Sequence, residues 1–339
     1  MTPEKPFILA IGGPTASGKS ALAMSLAARF PVQIVNFDSM QIYRGMDIGT
    51  AKAGRAQREK VPHHLLDLCD PDQPFSVGKY IPLFRKAVNG IHPSGDLPVA
   101  VGGTGLYLRG GLGGLFDGPE RDEKLRDGMR DREAAEPGVL YRLLVEKDPV
   151  TAQKTMPGDI VRIIRALEVG ELTGTPISEL QREHSFGDRP YKTAVFCLKP
   201  DRENLYGWID ERVDRMMEKG LLGEVKRLKE KGYTRDLTSM KALGYREIMA
   251  HLDGETTLEE AVGLIKRNTR RYAKRQITWF RGEKGVTWLE YREREEIQAL
   301  ADRIAKELGE KVARHGDTET RGQQPKAQGP KAKENCGDQ

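Results

Sequence analysis

The chain has 339 residues, 38% of them hydrophobic, which suits one large domain or two ordinary ones. Its formal net charge of +5 is too small to indicate a nucleic-acid partner, so the distribution of the basic residues matters more than their sum. The three cysteines stand far apart and no apolar stretch approaches ~18 residues, which argues against a disulfide framework, a zinc finger and a membrane span, and favours the cytoplasm.

The first predicted element is a strand, FILAI, that runs into a glycine-rich turn and then into an alanine- and leucine-rich helix. The turn reads G-x-x-x-x-G-K-S, a pattern whose backbone N–H groups grip phosphates. Lys19 adds a mobile positive charge, and the Ser20 hydroxyl can hold Mg²⁺. A nucleotide such as ATP is the default ligand, but any diphosphate with Mg²⁺ fits the same loop. The predicted phosphate-binding residues are Gly13, Pro14, Thr15, Ala16, Ser17, Gly18, Lys19 and Ser20.

A carboxylate, Asp38, follows the second predicted strand, VQIVNF. Ligands of open α/β sheets bind beyond the carboxyl ends of the strands, so we expect Asp38 to face the phosphate loop. There it would act either as a metal ligand or as a general base toward a nucleophile. Capping of a turn by Asp38 and Ser39 is the structural alternative, because both residue types are common in turns.

Further strand patterns occur at HHLLDL, LPVAV, KTAVFCLK and VTWLE. Helical patterns separate several of them, which predicts a parallel α/β sheet with helices on both faces, of the P-loop NTPase-like class. A second glycine-rich turn, VGGTG, follows LPVAV, and Thr104 opens the next helix. Its backbone and hydroxyl suit a second anion contact, although any strand-to-helix turn needs glycines.

From about Pro119 to Arg189 the patterns are helical and no convincing strand interrupts them. We therefore expect an all-helical insertion at 117–198, carried on an α/β core formed by 1–116 and 199–314. The last segment, 315–339, is rich in Gly, Pro, Gln and Lys. Such a composition cannot bury enough apolar surface to fold, so the segment is expected to be disordered.

A helical pattern near the C-terminus, IKRNTRRYAKRQITWFRGEK, concentrates positive charge before its first acidic residue, Glu283. On a helix, four of its basic residues share one face: Arg267, Arg271, Lys274 and Arg275. Tyr272, Trp279 and Phe280 supply aromatic surface. A solvated helix with core aromatics is the ordinary interpretation of a charge run, but the acid-free length favours contact with an RNA backbone.

Taken together, eight collinear blocks resemble the tRNA dimethylallyltransferase family, also called tRNA isopentenyltransferases, in its bacterial form. Ser20 stands where Thr is commoner, which a metal-binding role permits. The chain lacks the cysteines of the zinc finger that eukaryotic relatives can carry. The blocks cover about residues 7–290 and read GPTASGKS, DSMQIYRGMDIGTAK, PHHLLDLCDP, VGGTGLYLRG, DIVRIIRALEV, ERVDRMMEKGLLGEV, ALGYREI and RRYAKRQITWFRG.

The resemblance implies transfer of a dimethylallyl group from dimethylallyl diphosphate to N6 of adenosine 37, next to the anticodon of tRNA, with Mg²⁺ as cofactor. It implies that Asp38 is the general base, that Thr104 lies near the reacting centre and that Arg212 contacts the diphosphate. With two arginines of the basic helix added, the residues expected to meet the anticodon stem-loop are Asp38, Ser39, Met40, Gln41, Thr104, Arg126, Val161, Arg162, Ile163, Ile164, Arg165, Arg271 and Arg275. A monomer is expected.

The chemistry suits this assignment. The exocyclic amine of adenine is a poor nucleophile because its lone pair is delocalised into the ring, so a carboxylate that accepts its proton has a defined task. The target base must leave the stacked anticodon arm before it can react. Tyr43, Tyr107 and Tyr245 are candidates for stacking on it, and equally for ordinary packing.

The residues alone leave other functions open. One is a small-molecule or nucleoside kinase whose helical insertion serves as a lid over the phosphates. Another is a nucleotide-dependent RNA-binding switch, which the lack of an N-K-x-D motif disfavours. An enzyme that prenylates free adenine nucleotides would leave the basic helix unexplained.

Overall fold

The structure, a computed structural model, describes residues 5–116, 118–184 and 187–320, and side chains up to residue 309. Its strands form a parallel sheet in the order β3-β2-β4-β1-β5-β6. The prediction of a parallel α/β core is confirmed. The strands are β1 (Phe7–Gly12), β2 (Val32–Asn36), β3 (His63–His64), β4 (Leu97–Val101), β5 (Lys192–Pro200) and β6 (Val286–Tyr291).

All strand patterns of the sequence form strands, but HHLLDL does so for two residues only. Leu65 and Asp67 have φ angles of +64° and +55°, so the chain turns sharply as soon as β3 has paired with β2. The central strand β1 pairs with both β4 and β5. Its residues 8–11 are fully buried, which explains why it reads as a continuous apolar run.

Helices cover both faces of the sheet. Alternate residues of β1 point to opposite sides: Leu9 and Ile11 pack among one group of core residues, and Ile8 and Ala10 pack among another. In the core and its nearest extensions the helices are α1 (Lys19–Ala27), α2 (Arg55–Lys60), α3 (Val77–Ile91), α4 (Gly105–Gly113), α10 (Arg202–Glu218), α11 (Leu221–Glu230), α12 (Tyr245–Leu252), α13 (Leu258–Arg281) and α14 (Glu296–Thr320), with a short 3₁₀ turn at His92–Ser94.

A helical unit separates β4 and α4 from β5, and it has its own hydrophobic core around Leu140, Leu144, Ile163 and Leu167. No strand lies in the described part of 118–191. The boundary expected at 198 is wrong, because β5 begins at Lys192 and pairs with β1 along its length. The helices of this unit are α5 (Glu123–Ala135), α6 (Val139–Lys147), α7 (Pro149–Ala152), α8 (Ile160–Thr173) and α9 (Ile177–His184).

Two long helices, α13 and α14, form the C-terminal part of the described chain. The basic helix α13 begins at a capping box formed by Thr257 and Glu260. Helix α14 packs on α1 and continues to Thr320, so residues 315–320 of the segment expected to be disordered are helical. Residues 321–339, with Cys336, lie outside the described residues. No helix in the described ranges is long and apolar enough to cross a membrane.

Candidate functional site

The phosphate loop joins β1 to α1 at the carboxyl end of the central strand. Gly13 and Gly18 have φ angles of +137° and +79°, a region that side chains rarely adopt. The loop is braced internally, because the Ser17 hydroxyl donates to the Pro14 carbonyl at 2.8 Å. The Lys19 side chain folds back toward the start of the loop, where its ammonium donates hydrogen bonds to the Gly13 and Pro14 carbonyls at 3.0 and 2.6 Å. The loop therefore presents backbone N–H groups and one cation to the same space.

Helix α13 contacts the phosphate loop through Gln276. The Gln276 side chain accepts a hydrogen bond from Thr15 N at 2.7 Å and donates one to the Gly103 carbonyl at 3.0 Å, which joins the two glycine-rich turns. A Cβ on Gly103 would lie 2.2 Å from Gln276, and one on Gly105 would lie 2.0 Å from Trp279. Gly103 and Gly105 thus make room for side chains of α13, a function that the sequence of the turn alone did not indicate.

Asp38 lies at the wall between two cavities. One of its carboxylate oxygens accepts a hydrogen bond from Met40 N at 2.9 Å, so the turn-capping interpretation is correct for that oxygen. The same residue lines both cavities, so capping does not remove it from the site. The Thr104 hydroxyl accepts from Ser39 N at 3.0 Å and donates to the Ser39 hydroxyl at 3.2 Å, which fixes the turn that carries Asp38.

The first cavity, here the phosphate cavity, has a volume of about 420 Å³ and is lined by the phosphate loop from Thr15 to Ser20. The second, the side cavity, has a volume of about 310 Å³ and is lined by Ser39 and Met40 among others. Because Asp38 lies in the wall that the two cavities share, its carboxylate can be reached from either cavity. The residues that line both cavities are Thr15, Asp38, Thr50, Arg212 and Tyr272.

The charges at this wall perturb one another. Burial, and then the neighbouring Arg212, lower the pKa of Lys19 to about 8 against the opposite effect of Asp38. Burial also lowers the pKa of Arg212, while Asp38 raises it. The pKa of the Tyr272 hydroxyl is raised by burial and by Asp38, although hydrogen bonds with Thr104 and Gln276 work in the other direction. The site concentrates cations that an anionic ligand would stabilise.

A buried carboxylate, Glu224, shapes the loop beside the cavities. Its oxygens accept hydrogen bonds from the backbone N–H groups of Asp47, Ile48 and Gly49 and from the Tyr245 hydroxyl. A Cβ on Gly49 would lie 2.4 Å from the Tyr245 ring, so the glycine lets the ring approach. Through these hydrogen bonds Glu224 connects GMDIGTAK and ALGYREI, two segments that lie far apart in sequence.

The structure brings together the predicted phosphate-binding residues, Asp38, Thr104 and Arg212. Of the predicted tRNA contacts, Ser39, Met40 and Arg275 line the side cavity, and Gln41 lines the phosphate cavity. Arg271 is exposed on α13. Sequence reasoning did not assign Gln276, Tyr272 or Trp208 to the site. A polar residue within the buried stripe of α13 was the available signal for Gln276.

Helix α8 meets the predictions only in part. Val161 is 78% exposed and Arg162 is exposed, whereas Arg165 is half-buried and bonded to Glu168. Ile163 and Ile164 are buried in the core of the helical unit, so their side chains do not form part of its surface, and contact of these residues with tRNA stays a prediction. None of the described residues lining the two cavities comes from 118–184.

Arg126, another predicted tRNA contact, is also buried. Its guanidinium forms a bidentate ion pair with Glu168, in which Nε and Nη2 donate to the two carboxylate oxygens at 2.6 and 2.8 Å. Tyr43, Tyr107 and Tyr245, the candidates for base stacking, are also buried and serve packing: Tyr107, for example, stacks on Tyr80. The half-buried ring that lines both cavities is Tyr272.

Comparison with known proteins relates this chain to a family of tRNA-modifying enzymes. A protein-family model described as IPP transferase matches residues 41–283. A tRNA dimethylallyltransferase from Geobacter metallireducens is 48% identical over 290 residues, 85% of this chain and 94% of that protein. Its namesake from Solibacter usitatus is 45% identical over 305 residues, 89% and 99% of the two chains.

Solved structures show the same relationship. The full-length tRNA isopentenylpyrophosphate transferase from Bacillus halodurans is 39% identical, with a TM-score of 0.67 over 92% of this chain and 100% of that one. A eukaryotic dimethylallyltransferase, seen in crystallographic snapshots acting on tRNA, is 30% identical, with a TM-score of 0.76 over 88% and 77%. The family model matches well over half of the chain, and the relative from Geobacter metallireducens covers 85% of it at 48% identity. This chain, which carries a phosphate loop and a carboxylate at one cavity, therefore belongs to the IPP transferase family.

Proposed function

We propose that this protein is a tRNA dimethylallyltransferase, which transfers a dimethylallyl group from dimethylallyl diphosphate to N6 of adenosine 37 of tRNA and releases diphosphate. The relatives named for this reaction support the proposal. The observation that carries it is the position of Asp38, at the wall shared by the phosphate cavity and the side cavity. A diphosphate in one cavity and an extruded base in the other would meet at this carboxylate.

In the proposed reaction, N6 attacks the allylic carbon, the carbon–oxygen bond breaks, and its electron pair stays on the departing diphosphate. The proton of N6 moves to Asp38. Backbone N–H groups of the phosphate loop, with Lys19 and Arg212, stabilise the negative charge where it develops. Thr104 holds the Ser39 turn and thereby orients the carboxylate.

We propose Mg²⁺ as the cofactor. The described residues contain no group of three His, Cys, Asp or Glu side chains that could form a protein cage for a metal. Mg²⁺ often needs only one or two protein ligands together with phosphate oxygens and water, and Ser20 is an exposed residue at the end of the phosphate loop whose hydroxyl could serve as one ligand. The bound ion would neutralise charge on the diphosphate.

The tRNA surface is proposed to include the exposed face of α13 and the tip of α8. Arg267 and Arg271 are exposed, and Arg275 reaches the side cavity. Val161 and Arg162 are the exposed residues of the α8 segment. Phosphate contacts of this kind make binding depend on salt. We further propose that the protein acts as a monomer in the cytoplasm, where tRNA is found.

Incubation with Mg²⁺, labelled dimethylallyl diphosphate and undermodified tRNA tests the function. Label is expected to enter tRNA without ATP, at the adenosine next to the anticodon. A parallel reaction with ATP and candidate hydroxyl acceptors tests the kinase alternative, which uses the same phosphate loop to break a phosphorus–oxygen bond. ATP consumption without any prenylated tRNA would replace the proposal with that alternative.

The pH dependence of phosphate binding depends on Lys19. Because its pKa is near 8 instead of 10.5, the free protein loses this cation at a pH where an ordinary lysine stays charged. Affinity for pyrophosphate is expected to fall about tenfold between pH 7 and pH 9 through loss of this charge. Calorimetric titration of wild type and Lys19→Arg checks this, since ionisation of pyrophosphate affects both proteins alike. Parallel pH profiles of the two proteins would show that Lys19 does not cause the slope.

A further inference from the structure

The turn between β6 and α14, residues 292–295, lies over the phosphate loop. At its start, the Tyr291 hydroxyl donates a hydrogen bond to the Ser17 carbonyl of the loop. At its end, Ile297 lies so close that a Cβ on Gly18 would be 3.1 Å from its side chain. The residues that flank the turn on both sides therefore contact the loop. Between them Arg294 lines the phosphate cavity, and the proposed mechanism assigns it no task.

An aromatic platform orients this arginine. The Arg294 guanidinium lies 5.0 Å from the centre of the Trp208 ring, and Trp208 stacks on Tyr291 with ring centres 5.8 Å apart. Trp208 is 8% exposed and lines the same cavity. A guanidinium stacked on a ring keeps its N–H groups free in its own plane, where they can bind phosphate oxygens in pairs.

The present partner of Arg294 is easily exchanged. Its guanidinium forms an ion pair with Glu211 at 2.8 Å, and the two side chains are 41% and 55% exposed. Ion pairs this exposed contribute little to stability, because water solvates both charges well. A doubly charged phosphate in the cavity would be a stronger acceptor than this carboxylate.

We propose that Arg294 is a further diphosphate-binding residue. When a diphosphate fills the phosphate cavity, the guanidinium breaks its ion pair with Glu211 and binds a phosphate oxygen instead. It would hold both the substrate's diphosphate and the diphosphate product. The inference rests on the proposed function for the identity of the ligand. It extends the site to the segment after β6, beyond residues 41–283 that the family model matches.

Calorimetric titration with inorganic pyrophosphate and Mg²⁺ tests this directly. Arg294→Gln is expected to raise the dissociation constant about tenfold, the effect of losing a hydrogen bond between charged groups. Arg292→Gln is the matched control, since it makes the same change in the same turn at a residue that lines a different cavity. The control is expected to stay within about twofold of wild type.

The competing carboxylate allows a test of opposite sign. Glu211→Gln is expected to lower the dissociation constant about two- to threefold in wild type, and to have no effect in the Arg294→Gln background, where no arginine remains to be released. Equal effects of Glu211→Gln in both backgrounds, or an Arg294→Gln variant that binds like wild type, would overturn the inference. Failure of wild type itself to bind pyrophosphate would instead overturn the proposed function on which it rests.

Discussion

Replacing Asp38 with asparagine is expected to lower the turnover of tRNA prenylation by about 10²–10⁴-fold, the usual contribution of general-base catalysis. Asparagine keeps an oxygen that can accept the hydrogen bond from Met40 N, so the turn at the cavity wall stays in place. The variant loses the capacity to take the proton of N6. The affinity for tRNA is therefore expected to remain nearly unchanged.

Single-turnover prenylation at saturating tRNA, with tRNA binding measured in parallel, checks this prediction. Asp38→Ala is expected to show a similar loss, and the exposed Asp72→Asn, outside both cavities, serves as a control for the same chemical change. If Asp38→Asn turned over within a few-fold of wild type, the carboxylate would not be the base. Loss of tRNA affinity instead would assign Asp38 to binding.

Replacing Glu168 with glutamine is expected to destabilise the protein by about 3–5 kcal/mol, because it leaves the buried Arg126 cation without its partner. Glu168 is fully buried and also accepts hydrogen bonds from Arg165 and from Asp122 N. Denaturant unfolding measures the loss. Glu59→Gln, in an ion pair whose side chains are 92% and 61% exposed, is expected to change stability by less than about 1 kcal/mol.

The same pair predicts a dependence on pH. Burial alone would raise the pKa of Glu168, but hydrogen bonds from Arg126 and Arg165 lower it to about 2. A depressed folded-state pKa stabilises the protein above the ordinary value near 4.5, and this stabilisation is lost as pH falls toward 2. The stability difference between wild type and Glu168→Gln should therefore shrink below about pH 4.5. A difference that is constant down to pH 2 would contradict this.

The double variant Arg126→Met, Glu168→Leu separates charge from packing. Replacing both members of a buried ion pair with apolar residues is often close to neutral, so this protein is expected to be more stable than Glu168→Gln alone. If the double variant were the less stable one, Arg126 would contribute mainly through its packing. In either case Arg126 is a structural residue of the helical unit, as its burial indicates.

Much of the fold could be predicted because its signals are local. Strand β1 reads as a run of apolar residues, since both faces of a parallel sheet are covered, and the phosphate loop is specified by its own glycines. The apolar pattern of KTAVFCLK predicted a strand at β5. It did not show that this strand belongs to the core sheet and not to the helical insertion. Pairing with β1 depends on a strand more than 180 residues earlier.

By itself, the sequence determined the order of strands and helices, the phosphate loop, the carboxylate after β2 and the family, because each depends on residues that are near one another in the chain. The tertiary structure alone decided which polar side chains are free to meet a ligand. Arg126 is paired with Glu168, 42 positions away, and Gln276 accepts a hydrogen bond from Thr15 N, 261 positions away. Burial and hydrogen bonding are properties of such distant pairs, and no local pattern of residue types encodes them.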